Sequence, residues 1–366
     1  MDRSDELQAS VVKAFADNTP LRIQGGNTKA FYGNALSGET LDLSGHNGVR
    51  SYEPTELVIS AYAGTPLKEI AAILDEQNQM LAFEPPGFGD AATLGGTIAC
   101  NLSGPRRAYS GAARDFVLGT RVLNGKGEIL SFGGEVMKNV AGYDVSRLMS
   151  GAMGTLGVIL DVSLKTIPKP EAEMTLVQTM DAAKALKKLS QWSRLPLPLS
   201  ASCIDKQQLY LRLSGTEEGL QAAKSLLGGE QLTTVDSDSF WQSIKEQQYD
   251  FFLQDRAVDE HSLWRLSVAP NAAELDIVGD TLYEWGGALR WLKSNAAAEK
   301  IRNSVTPLQG HAIRFRNYAD SDGSEKDSSE EVFHPLPAHL LKLHQNLKQA
   351  FDPKGILNPY RMYKAF

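Results

Sequence analysis

The chain of 366 residues contains only two cysteines, Cys100 and Cys203, far apart and each set in an apolar stretch. That scarcity excludes a disulfide scaffold, and with no Cys cluster the chain cannot itself ligate an iron–sulfur centre. It fits buried free thiols in a reducing compartment. No run approaches the roughly 20 apolar residues of a membrane span. The opening MDRSDELQAS is acidic and polar with no apolar stretch behind it, so no secretory signal is expected. Lys and Arg number 37 against 44 Asp and Glu, and the net charge of −7 leaves no concentrated basic face for a nucleic acid. The expectation is a cytoplasmic protein that meets a membrane only through partner subunits.

Several catalytic signatures are missing too. No G-x-G-x-x-G follows a strand, which removes the Rossmann fingerprint. There is no H-E-x-x-H and no C-x-x-C. Gly119 to Lys126 resembles a P-loop, yet five residues part its glycines and Gly127 stands where Ser or Thr belongs. His334, His339 and His344 recur at every fifth position, which on a helix turns successive side chains by roughly 140° and suits solvated positions, not a metal.

What is present has the length for about two domains and 42% hydrophobic residues, enough for sizeable cores. Leu7, Val11, Val12 and Phe15 fall at helical spacing before a strand at Leu21–Gln24. Val58–Ala61 reads as a strand. GTPLKEIAAILDEQNQ reads as a helix capped by Thr65, with Pro66 in its first turn. Asn124-Gly125 between two β-rich runs predicts a hairpin. LGVILDVSLKTI reads as a strand halted by Pro168-Lys169-Pro170. From about residue 172 short strands alternate with helices, an α+β pattern with its own core. Residues 317–331 are acidic and serine-rich, as in a mobile loop. A final helix is expected to bury Leu340, Leu343, Leu347 and Phe351 on one stripe. The division expected is 1–171, then 172–345 including the acidic loop, then a tail at 346–366.

Glycine is dense in LRIQGGNTKAF, in EPPGFGDAATLGGTIACNLSGPRR, in FGGEVMKNVAGYDVSRLMSGAMGTLGVI and in DPKGILNP. Paired glycines let backbone N–H groups converge on an anion, because no Cβ intervenes. Any one of these stretches fits an ordinary turn better than a cradle. Four together favour a ligand with a pyrophosphate and a flat heteroaromatic ring, gripped by neutral donors. Positive φ is the expected conformation at Gly26 and Gly96, so valine at either should abolish binding.

The same blocks, with RDFVLGTRVLNGKGEILSF, WGGALRWLK and FDPKGILNPYRM, resemble the vanillyl-alcohol-oxidase/PCMH family of FAD-binding flavoproteins. The resemblance implies an α+β fold: a PCMH-type FAD-binding domain of two α/β subdomains, then a ferredoxin-like α+β cap. It implies that Ile23, Gln24, Gly25, Gly26, Asn27 and Thr28 wrap the diphosphate with backbone N–H groups. Thr93, Gly95, Gly96, Thr97, Asn101 and Ser103 would line the ribityl chain and flavin. Backbone at Gly157, Val158 and Ile159 would meet the cofactor, and Asn358 would lie near the ring. Relatives with covalent flavin have a histidine where this chain has Asn27, which implies non-covalent FAD.

The implied activity is FAD-dependent oxidation of a 2-hydroxy acid, glycolate to glyoxylate, in a complex with a second flavin subunit and an iron–sulfur subunit. Related catalytic enzymes carry a glycine- and histidine-rich strand near the C-terminus that helps bind metal and substrate. Here only QGHAIRF remains, with Ala312 and Ile313 where polar ligands are expected. No metal is therefore expected, and Arg290, His311 and Arg314 are the catalytic candidates. The chemistry could then lie in a partner, with this chain as relay or structural paralogue. The alternatives are a stand-alone D-2-hydroxy-acid dehydrogenase and an assembly subunit with vestigial flavin loops.

Overall fold

The computed structural model describes residues 1–134, 143–253, 261–317 and 330–366. The chain divides into two compact units. One comprises Met1–Ser103, Ala112–Lys169 and Pro335–Phe366; the other comprises Gly104–Gly111 and Pro170–His334. The C-terminal segment thus joins the first unit from Pro335, earlier than residue 346. Most of the acidic loop expected at 317–331 lies outside the described residues.

The first unit begins with the helix Ser4–Asp17, whose Leu7, Val11 and Ala14 are buried while Val12 is exposed. The strand Leu21–Gln24 follows and pairs in parallel with Glu39–Asp42. A five-stranded antiparallel sheet runs in the order Val49–Glu53, Val58–Tyr62, Val158–Lys165, Val117–Leu123, Ile129–Gly133. Val158–Lys165 is its central strand and is almost wholly buried, Asp161 and Ser163 included, with Asp161 paired to Arg50 at 2.8 Å. The hairpin expected at Asn124-Gly125 forms, with Leu123 opposite Ile129. Its loop is held by Asn124 Oδ1, which accepts from the N–H groups of Lys126 and Glu128. A Cβ on Gly125 would overlap the Asp352 carboxylate, so glycine is required there.

Two local expectations change. Thr65 does not cap the helix Leu67–Glu76; its Oγ1 donates to Tyr62 O at 2.7 Å and accepts from Gly48 N at 3.0 Å, and Pro66 occupies the cap position. In the final helix, Ala338–Phe351, Leu340 and Leu343 are exposed, and only Leu347 and Phe351 pack on the core. The helix instead buries Lys348, whose Nζ reaches Asp352 Oδ2, Thr155 O and Leu357 O.

The second unit holds an eight-stranded antiparallel sheet. Its order is Glu230–Gln231, Ala172–Thr179, Gln208–Gly215, Leu199–Asp205, Asp280–Glu284, Leu289–Ser294, Ser262–Ser267, His311–Asn317. The helices Ala182–Trp192 and Glu217–Leu227 contribute to one apolar cluster, and Ala298–Val305 to another. Burying one leucine in such a cluster is worth about 1.5–3 kcal/mol. Both cysteines are free thiols, Cys203 buried and Cys100 half-buried. Among the described residues no helix is long and apolar enough to cross a membrane.

Candidate functional site

The site grows from the end of the first strand. After Gln24 the chain leaves its partner strand, and the backbone N–H groups of Gly25, Gly26, Asn27 and Thr28 donate to no acceptor among the described residues. Asn27 sits in the left-handed region at φ 57. A run of unengaged N–H groups through a left-handed residue is the geometry of an anion-binding concavity. Gly25 and Gly26 are required by close packing. A Cβ on Gly25 would lie 2.5 Å from Thr93 Oγ1, and one on Gly26 would overlap the carbonyl oxygen of Ala91. Neither Gly26 nor Gly96 has positive φ, so the expected strain is absent and the left-handed residue is Asn27.

That packing brings two glycine-rich stretches together. Thr28 Oγ1 donates to Gly87 O at 2.7 Å, which fastens the cradle to the loop leading into Thr93. Thr93 caps the helix Leu94–Cys100 by accepting from Gly96 N at 3.3 Å. The tail arrives beside them. Asn358 Oδ1 accepts from Ile23 N at 2.8 Å, and its Nδ2 donates to Met153 O at 2.7 Å. Its own N–H donates to Leu21 O. Four segments distant in sequence therefore meet at Ile23–Thr28.

The second glycine pair does something other than expected. Gly95 donates to Ala63 O at 2.7 Å, Gly96 to Thr93 Oγ1, and Thr97 N to Thr93 O. These N–H groups belong to the helix and its packing; they are not open donors. Gly95 is required because its Cβ would lie 2.6 Å from Ala63 Cβ. Asn101, at φ 51, ends the helix, and its Oδ1 accepts from Arg114 N. Ser103 Oγ accepts from Ala113 N. Gly157 packs against Val122, and Val158 and Ile159 are buried in the central strand opposite Leu123 and Val122. The amide of Asn358 ties Ile23 N to Met153 O, which makes it a fastener of the cradle.

Polar capacity is left over in two hydroxyls. Thr97 Oγ1 and Ser150 Oγ are buried without a hydrogen-bond partner among the described residues. The segment carrying Ser150 runs along the same helix, since Gly151 donates to Ile98 O and Met153 to Ala99 O. Buried hydroxyls without partners are uncommon and mark places where a ligand's polar groups can be met. Ser150 had no distinguishing signal in the sequence. Together with the open N–H row, these residues fit a cofactor carrying a diphosphate and further hydrogen-bonding groups.

The three catalytic candidates lie in the second unit and differ in kind. Arg290 is removed from the list: it is buried, and its guanidinium donates to Gly287 O, Ala273 O and Ala272 O. Burial holds its pKa below the ordinary value, opposed by Tyr283 and Glu274. Arg314 pairs with Glu330 at 2.9 Å. His311 is solvent-exposed, with its ring 5.6 Å from that of His334. His334 Nδ1 accepts from Ala312 N, and burial, with His311 and Arg302 nearby, keeps its pKa below the usual value. Among the described residues no three His, Cys, Asp or Glu side chains are grouped to hold a metal.

The open N–H row and the fold around it fit the class of flavin-dependent oxidoreductases. Residues 2–133 match the model of an FAD binding domain, and residues 328–362 that of the FAD linked oxidases' C-terminal domain. The 4-ethylphenol oxidase of Gulosibacter chungangensis superposes with a TM-score of 0.69 over 98% of this chain and 87% of its own, at 12% identity, a likeness of fold alone. The glycolate oxidase subunit GlcE of Escherichia coli is 47% identical over 99% of this chain and 98% of its own length. The chain belongs to that family of FAD-linked oxidoreductases. The glycolate oxidase subunit GlcD of Bacillus subtilis matches more narrowly, at 42% identity over 27% of this chain and 22% of its own.

Proposed function

We propose that this chain is the FAD-binding subunit of a complex that oxidises glycolate to glyoxylate. The observation that carries this is end-to-end identity of 47% to a relative named for that activity, supported by an open row of N–H groups on the loop that the sequence resemblance implies for the diphosphate. In that reaction glycolate loses a hydride from its α-carbon and a proton from its hydroxyl. Bound FAD supplies the hydride acceptor. The N–H groups of Gly25 to Thr28 hold the diphosphate, and Asn358 and Thr28 keep the loop in shape. Asn27 offers no nucleophile, so the flavin is held without a covalent bond. Acid precipitation should therefore release the flavin into the supernatant; yellow colour kept in the washed pellet would refute non-covalent attachment.

The division of labour follows from the catalytic candidates. Arg290 is committed to carbonyls and Arg314 to Glu330, which leaves the exposed His311 as the base and no free guanidinium among the three for the substrate carboxylate. Efficient hydride transfer needs the substrate held with reacting atoms about 3–3.5 Å apart and a base near its hydroxyl. The oxidation then belongs to a second flavin subunit, with an iron–sulfur subunit passing electrons on. Stopped-flow mixing with glycolate under anaerobic conditions tests this. The isolated chain should bleach its flavin at least about 100-fold more slowly than the assembled complex, a barrier difference of about 2.7 kcal/mol. Fast, saturable bleaching in the isolated chain would return the chemistry to this subunit, with His311 the first residue to mutate.

A further inference from the structure

The tail that fastens the cradle also carries a buried cation. Arg361 is 8% exposed. Its Nη1 donates to Asn34 O at 2.6 Å, and its Nη2 to Ala30 O at 3.1 Å and Lys29 O at 3.3 Å. All of these partners are neutral carbonyls, and no carboxylate pairs with it among the described residues. A second buried cation lies on the same loop: Lys29, 7% exposed, donates through Nζ to Gly87 O at 3.2 Å. Both charges act on Cys100, at the end of the helix Leu94–Cys100, where they oppose the upward push of burial on the thiol. Burial depresses the pKa of Arg361, with Cys100 and Tyr32 opposing.

Burying a guanidinium without an opposite charge is costly, and hydrogen bonds to carbonyls satisfy its donors without neutralising it. Its contacts at Lys29 O and Ala30 O join it to the two residues that immediately follow the open N–H groups of Gly25 to Thr28. Those amides supply direction but no net charge, whereas a diphosphate is a dianion. We propose that Arg361 is the buried counter-charge of the diphosphate held at Gly25–Thr28, acting through the field across the loop and not by contact. It is a positioning residue, and the proposal rests on the reading that this cradle takes FAD.

The test uses the full chain freed of flavin, with FAD affinity measured by fluorescence quenching and folding checked by circular dichroism. Arg361→Gln, which keeps donors and removes charge, should weaken FAD binding at least about tenfold, or about 1.4 kcal/mol. Arg361→Lys, which keeps charge and loses the planar fork, should stay within about threefold of the parent. Thermal shifts separate charge from packing: stabilisation by ADP should shrink in Arg361→Gln, while the smaller stabilisation by adenosine should not change. Should Arg361→Gln fail to fold, the same comparison between Arg361→Met and Arg361→Lys decides. Parent-like FAD affinity in the Gln variant, or a Lys variant as weak as Gln, overturns the proposal. Failure of the unsubstituted chain to bind FAD at all would instead overturn the reading beneath it.

Discussion

Replacing Gly26 with valine will give a folded protein that purifies without flavin. A Cβ at this position overlaps the carbonyl oxygen of Ala91 and lies 3.2 Å from its Cα. The obstacle is backbone and cannot swing aside as a side-chain end would. The loops at Gly25–Thr28 and Ala91–Thr93 would have to separate, and the row of open N–H groups would lose its shape. Affinity for FAD should fall on the order of 100-fold, about 2.7 kcal/mol, read from the flavin-to-protein absorbance ratio and by titration. Gly96→Val is the control, because a Cβ there meets only Thr93 Oγ1, at 3.2 Å. It should cost helix capping and leave most of the flavin bound. Full occupancy in the Gly26 variant would mean that the cradle lies elsewhere.

Lys348→Met should produce the largest loss of stability. Lys348 is 6% and Asp352 1% exposed, and they lie 2.8 Å apart. Asp352 also accepts from Ile356 N and Leu357 N, so one carboxylate shapes the turn that delivers Asn358 to the cradle. Removing the ammonium leaves that carboxylate buried and uncompensated, which costs about 3–5 kcal/mol. Thermal unfolding should begin roughly 6–20 °C lower in a unit of this size. The double variant Lys348→Met/Asp352→Asn, in which the carboxylate is neutral, should recover part of the loss. A single variant as stable as the parent would show that the pair holds nothing together.

Lys348 stands four residues before Asp352 at the end of the final helix, a spacing legible in the sequence and of the kind usually found on a wet surface. Nothing local says that this pair is buried. The reverse holds for Leu340 and Leu343, whose helical spacing with Leu347 suggests one buried stripe although both are exposed. Periodicity reports which residues share a face, and what covers that face is settled by segments far away in sequence. The same gap separates Arg290, a plausible carboxylate holder when read as a letter, from the carbonyl-bound arginine that it is.

The sequence by itself determined where flexible backbone and apolar strands must occur, because glycine's missing Cβ and a β-rich run act locally. It thereby determined the glycine-rich segments of an FAD-linked oxidoreductase and the absence of a histidine at Asn27. Only the tertiary structure decided which of those amides remain open. Gly95 and Gly96 carry the same letters as Gly25 and Gly26, yet the first pair spend their N–H groups on Ala63 O and Thr93 Oγ1 and the second pair keep theirs. A hydrogen bond is a relation between two places in the chain: Gly96 finds its partner three residues back, but that of Gly95 lies at Ala63 and that of Ile23 at Asn358, near the opposite end.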